Sequence, residues 1–96
     1  MEAFARSIRV LAVNRNRILR EGLAVLIEMY PGLELVGAAA TSDSAFELFI
    51  HERPDLTLMD LDLPCSGGLE TIQRMRQVDP SAWVIVAWKL FSACVR

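Results

Sequence analysis

The chain has 96 residues, 53% hydrophobic and 23% charged, a composition that excludes a disordered tail and fits one small domain. Ten Lys and Arg against 12 Asp and Glu leave a formal charge of −2 and an isoelectric point near 5.3, so no basic excess exists to hold a phosphate backbone, and direct nucleic-acid binding is not expected. The longest fully apolar run, residues 82–88, is far shorter than the ~20 residues of a membrane helix, and the N-terminal stretch lacks the charged, apolar and small-residue plan of a secretory signal.

Along the chain, short apolar runs alternate with helical patterns. Residues 8–13 (IRVLAV) read as a strand. Ile18, Leu19, Gly22, Leu23, Leu26, Ile27 and Tyr30 then recur at helical spacing, with Asn14 or Asn16 as cap and Pro31-Gly32 as stop. Residues 33–38 (LELVGA) form a second predicted strand. Thr41 or Ser42 caps a second helix through Ala45, Leu48 and Phe49, which ends before Pro54. Residues 55–60 (DLTLMD) are a third strand, and a Pro-Cys-Ser-Gly-Gly turn leads to a third helix through Leu69, Ile72, Met75 and Arg76 that stops at Asp79-Pro80. Residues 82–87 (AWVIVA) make a fourth strand. The mean hydropathy of +0.33 accords with buried strands, or with an apolar surface covered by a partner.

Alternating strand and helix units imply an α/β fold with a parallel sheet and helices on both faces. Sites in such sheets lie outside the carboxyl ends of the strands, which draws attention to Asn14, Arg15, Asp60 and Trp88. The two cysteines, Cys65 and Cys94, have no metal-binding spacing; they are expected as free thiols in a reducing cytoplasm, the alternative being a single disulfide. His51 sits where it favours a helix C-terminus or faces solvent. Arg15, Arg17 and Arg20 read as a solvated face more readily than as a phosphate site. Gly67-Gly68 has no following Lys-Ser/Thr and is expected to form a turn.

Three stretches, IRVLAVNRNRILREGLAVLIE (residues 8–28), RPDLTLMDLDLPCSGGLETIQRMR (53–76) and WVIVAW (83–88), resemble a bacterial response-regulator receiver domain of the NarL/FixJ type. The resemblance implies one receiver-like domain over residues 1–96, with its core in 8–88 and a tail at 89–96. Its fold would be flavodoxin-like (CheY-like), a doubly wound parallel sheet in the order 2-1-3-4 that lacks the fifth βα unit. Receivers of this kind take a phosphoryl group from a histidine kinase onto an aspartate. Two acidic residues at the end of the first strand help to hold Mg²⁺, and a hydroxyl and a lysine at later strand ends contact the phosphoryl oxygens.

Asp60 falls on the nucleophile position and Asp62 on a position whose backbone faces the metal. Asn14 and Arg15 fall where the acidic pair belongs, Trp88 falls where a Thr or Ser belongs, and the lysine position is missing. Asp60, Asn14 and Arg15 together sum to zero charge. Either Arg15 occupies the metal position and neutralises Asp60, or it points into water; in both cases magnesium loses ligands. An indole at residue 88 cannot donate a hydroxyl, but it can cap the rim or join a contact surface. The expectation is therefore a pseudo-receiver with a vestigial phosphoacceptor and no metal or other cofactor. The alternative is a working phosphoacceptor with Mg²⁺ in a phosphorelay controlling transcription.

Without a fifth strand, the fourth lies at the sheet edge, apolar on both faces and open to pairing. Trp83, Ile85, Trp88, Leu90 and Phe91 are the expected interface. Two copies joined through the fourth-strand edge or by segment exchange would cover it, as would a tail folded back on the same chain; a homodimer is the expectation. A histidine kinase or another signalling protein is a further expected partner, and nucleic acid and membrane are not.

Overall fold

The computed structural model describes residues 7–61, 63 and 67–86. Asp62, Cys65, Trp88, Leu90, Phe91, Cys94 and the tail expected at 89–96 lie outside the described residues. The elements are β1 (Ile8–Val13), α1 (Arg17–Glu28), β2 (Leu33–Ala39), α2 (Ser42–Glu52), β3 (Leu56–Met59), α3 (Gly67–Val78) and β4 (Trp83–Val86). Every strand pairing is parallel, as the alternation of elements predicts, and the order is β2-β1-β3-β4, as the resemblance implies. The third and fourth strands are shorter than the apolar runs that predict them.

Side-chain parity sorts the sheet into two faces. Leu11 and Val13 of β1 join Met59, Ala45 and Phe49 of α2, and Met75 of α3 in one core cluster, closed at its ends by Leu63 and Ala82. Val10 and Ala12 are just as buried but point to the opposite face, where α1 inserts Ile27, its one buried side chain among the described residues. The β1–β2 register slips between Val10 and Leu11, which face Leu35 and Gly37, so Val36 is an extra residue on β2, a bulge. A Cβ on Gly37 would lie 3.3 Å from the Leu48 methyls, so the bare backbone here lets α2 sit close to the sheet.

Local chemistry sets the helix ends. Of the two candidate caps, Asn16 is the one used: its Oδ1 accepts from the N–H groups of Ile18 (2.9 Å) and Leu19 (3.2 Å). Thr41 caps α2, its Oγ1 accepting from the Ser44 N–H at 3.2 Å. That helix ends at Arg53, whose φ of 47° lies in the left-handed region. At the amino end of the sheet, Arg9 ties β1 to the end of α2. Its guanidinium meets Glu52 Oε1 at 2.9 Å and donates to the carbonyls of Glu52 and Arg53, while its backbone exchanges hydrogen bonds with Asp55. Arg74 of α3 lies 4.1 Å over the Phe46 ring of α2, a cation–π contact that joins two helices on the same face. The α3–β4 turn is built on Asp79, whose Oδ1 accepts from the Ser81 hydroxyl (2.7 Å) and N–H (3.1 Å). Those bonds hold the Asp79 carboxyl below the usual carboxylate range.

Candidate functional site at the carboxyl rim of the sheet

The strand register brings the site residues together. Val13 of β1 faces Met59 of β3, so the next residues, Asn14 and Asp60, leave adjacent strands at the same edge. The Asp60 N–H donates to the Val13 carbonyl at 3.0 Å, and the Asn14 N–H donates to the Ala39 carbonyl at 3.0 Å. Asp60 is half-buried, a carboxylate on a rigid strand end within reach of solvent.

Asn14 is only 7% exposed. Its Oδ1 accepts a hydrogen bond from the Asn16 N–H at 2.8 Å, which closes a small turn between β1 and the cap of α1. Asn14 is thus a structural hinge pin, its amide oxygen already engaged. Arg15 follows in that turn and is exposed; its guanidinium makes no hydrogen bond or ion pair among the described residues. The expectation that Arg15 fills the metal position and neutralises Asp60 is corrected here, and the alternative, a guanidinium in water, holds. The reason is energetic: an ion pair that costs a long side chain its rotamer freedom and both charges part of their hydration returns little at a wet rim.

A different arginine serves the rim. Arg20, expected on a solvated face, is half-buried, and its Nη1 donates to the Asn14 carbonyl at 2.9 Å, fixing the strand end to the first turn of α1. Its signal was spacing: Arg20 lies four residues after the Asn16 cap, on the sheet-facing side of the helix with Leu23 and Ile27.

The glycine pair also does something other than turn. Gly67 has φ +82°, a left-handed conformation that side chains disfavour. Gly68 is the first-turn residue against which the Asp60 loop rests: its N–H donates to the Leu61 carbonyl at 3.1 Å. A Cβ there would come within 2.4 Å of the Asp60 carbonyl oxygen and 2.6 Å of Leu61 Cα. A bare backbone at residue 68 is therefore what allows α3 to start immediately beside Asp60.

Magnesium prefers near-octahedral hard oxygens, with carboxylates among them. Among the described residues no three His, Cys, Asp or Glu side chains gather to hold a metal. The neighbour of Asp60 is a neutral amide with an occupied oxygen, followed by a cation. Of the carboxylates that magnesium favours, the described part of this rim supplies that of Asp60. At the sheet edge next to the site, Trp83 is 73% exposed and Ile85 51%, so both expected interface positions in the described part of β4 lie open. No described helix is long and apolar enough to cross a membrane.

Known proteins agree with this architecture. The chain is 35% identical over 77 residues to the nitrate/nitrite response regulator protein NarL of Escherichia coli K12, covering 80% of this chain and 36% of that protein. It therefore spans about a third of that relative's length. Among solved structures, a LuxR-family two-component response regulator from Aurantimonas superposes with a TM-score of 0.79 at 38% identity, over 83% of this chain and 57% of that one. The response regulator domain of CheB from Thermotoga maritima gives a TM-score of 0.80 at 30% identity, over 88% of this chain and 63% of that one. With residues 10–88 matching the family described as the response regulator receiver domain, this chain belongs to that family.

Proposed function

We propose that this receiver signals through protein contacts in the cytoplasm, as a phosphorylation-independent interaction and dimerisation module that works without bound magnesium and is not an enzyme. The observation that carries the reading is the end of β1. Where phosphoryl transfer to Asp60 needs an acidic pair, the chain has a buried amide whose oxygen already accepts a hydrogen bond, then an exposed cation. Without a metal ion, charge developing on a transferred phosphoryl group has little to stabilise it. The open side chains of β4, Trp83 and Ile85, supply apolar area for self-association at the sheet edge or by segment exchange, or for a signalling partner such as a histidine kinase.

One observation favours a second reading, that Asp60 is a working phosphoacceptor in a relay controlling transcription. Asp60 keeps the half-buried strand-end position that a carboxylate nucleophile requires. The test is incubation with a small phosphodonor and excess Mg²⁺, read by intact mass. The expected result is no stoichiometric gain of phosphoryl mass. A stoichiometric gain that disappears in Asp60→Asn would establish the second reading and overturn the first.

A further inference from the structure

The described sheet has two outer strands, β2 and β4, and they are built differently. β2 carries the exposed Glu34 and the extra residue Val36. A charge and a bulge are common means by which an outer strand is kept from pairing with another chain. β4 (WVIV) has neither. It follows β3 in unbroken register, from Leu56 opposite Trp83 to Met59 opposite Val86. Among the described residues no strand lies on its other side. Three of its side chains are exposed: Trp83 73%, Ile85 51% and Val86 42%.

Parity assigns that exposure to faces. In register with Leu56 and Leu58, Trp83 and Ile85 lie on the α1 face of the sheet. α1 packs over β2 and β1 there, so β3 and β4 form an apolar shelf beside it. Val84 lies on the other face, packed against the core cluster. The backbone says what kind of group completes this edge. Alternate N–H and C=O groups of β4 point away from β3, a row that another strand satisfies and that a helix or a lipid surface does not.

Resting on the reading that the chain self-associates, we infer that β4 pairs with β4 of a second copy, antiparallel across a two-fold axis at Val84. Two four-stranded sheets then run on as one. Of the two outer strands described, β4 is the unguarded one, so its counterpart in the second copy is β4 and not β2. Parity fixes the register. Opposed residues of an antiparallel pair share a face, so odd-numbered residues face odd-numbered ones. Centred on Val84, the pair sets Trp83 opposite Ile85 of the second copy, on both sides of the axis, and Ala82 opposite its Val86. An aromatic side chain opposite a β-branched one is a favourable cross-strand pair. Moving the axis to Trp83 would set Val86 against Pro80, which has no N–H to give. Moving it to Ile85 would set Trp83 against Ala87, with far less to bury it.

The arrangement bears on the rim as well. The turn at residues 79–81 of the second copy precedes its Ala82, so it comes to the Val86 end of β4. Val86 is level with Met59, the residue before Asp60. That turn therefore stands two strand spacings, about 10 Å, from the Asp60 end of β3, and each rim is flanked by the other copy. One pair of short strands is small against a standard interface, so the dimer is weak.

Sedimentation of the full chain between micromolar and about 100 µM tests the pairing, and the natural chain is expected to dimerise in that range. Trp83→Lys and Ile85→Lys each put a charge on the outer strand and should weaken dimerisation at least roughly tenfold. Both positions are exposed, and a urea midpoint measured on dilute protein checks that the fold is kept. Ile18→Lys, at an exposed apolar position of α1, should leave the dimer unchanged. Cross-linking tests the register. In chains whose Cys65 and Cys94 are replaced by Ser, Val84→Cys sets two thiols at the axis. Paired Cα atoms lie about 4.5–5.5 Å apart there, within disulfide reach. The two copies of residue 85 sit on a diagonal, about 7–8 Å apart. Mild oxidation should therefore link Val84→Cys at least roughly fivefold faster than Ile85→Cys. Ile85→Cys linking as fast or faster overturns the Val84 axis. A dimer that survives both lysine substitutions overturns the strand pairing and leaves self-association standing. A natural chain that stays monomeric throughout overturns the pairing and the self-association reading together.

Discussion

The geometry around Asp60 rests on a residue with no side chain. Gly68 lets the backbone of α3 approach the Asp60–Leu61 backbone so closely that a methyl group would sit 2.4 Å from a carbonyl oxygen. The obstructing atoms are main chain, so no rotamer change can relieve the clash. Gly68→Ala is therefore expected to cost about 1–3 kcal/mol, read as a lower urea midpoint. It should also shift the amide resonances of Asp60 and Leu61, because the loop has to move. Residue types here were legible in part. The identities of Asn14 and Arg15 already excluded an acidic pair at the end of β1, and the burial of Asn14 follows from the strand that delivers it. The role of Arg15 was not legible, since composition shows that a cation is present but not whether water or Asp60 solvates it. Arg20 was hidden for the opposite reason: a charged residue on an amphipathic helix reads as surface until its carbonyl partner is known.

At the scale of elements, hydrophobic periodicity placed all seven strands and helices, because each is flanked by Pro, Gly, Asn or Thr that breaks the preceding pattern. What periodicity could not place were features that depend on a neighbour. The extra residue Val36 in β2 exists only relative to the register of β1. β3 is trimmed to Leu56–Met59, with Asp55 tied to the Arg9 backbone at its amino end and the Asp60 N–H closing the β1–β3 ladder on the Val13 carbonyl at its carboxyl end. The end of α2 is the clearest case. Arg53 occupies φ 47°, a conformation that costs a residue with a side chain roughly 1–2 kcal/mol. It holds that shape because its N–H closes on the Phe49 carbonyl, and its own carbonyl accepts from Arg9. Both are backbone groups that glycine retains. Arg53→Gly is thus expected to raise stability by about 0.5–1 kcal/mol, the relief of strain being partly offset by the freer unfolded chain. A thermal melt that rises by a few degrees would confirm it, and a drop would show that the Arg53 side chain carries a contact that outweighs the strain.

At the scale of the whole molecule, the described elements cover the two faces of the sheet unequally. One is closed by α2 and α3 around Phe49, Leu11, Met59 and Met75, each at most 1% exposed. The other is closed by α1 over Val10 and Ala12, but toward β4 it leaves Trp83 and Ile85 in the open. Stability is therefore concentrated on one side, and large side chains of similar hydrophobic content should differ sharply in what their removal costs. Phe49→Ala empties a site with no solvent access and should cost about 3–5 kcal/mol. A domain of this size has a total of only about 5–15 kcal/mol to lose, so the variant should be partly unfolded at room temperature, with a urea midpoint lowered by at least about 1 M. Trp83→Ala removes a larger ring but little buried area, and should move the midpoint by less than about 1 kcal/mol equivalent. Measured on dilute protein, that contrast reports the fold of a single copy. If the Trp83→Ala penalty instead rises toward that of Phe49→Ala as protein concentration increases, the β4 surface is being covered by a second copy, and the sheet edge carries the association.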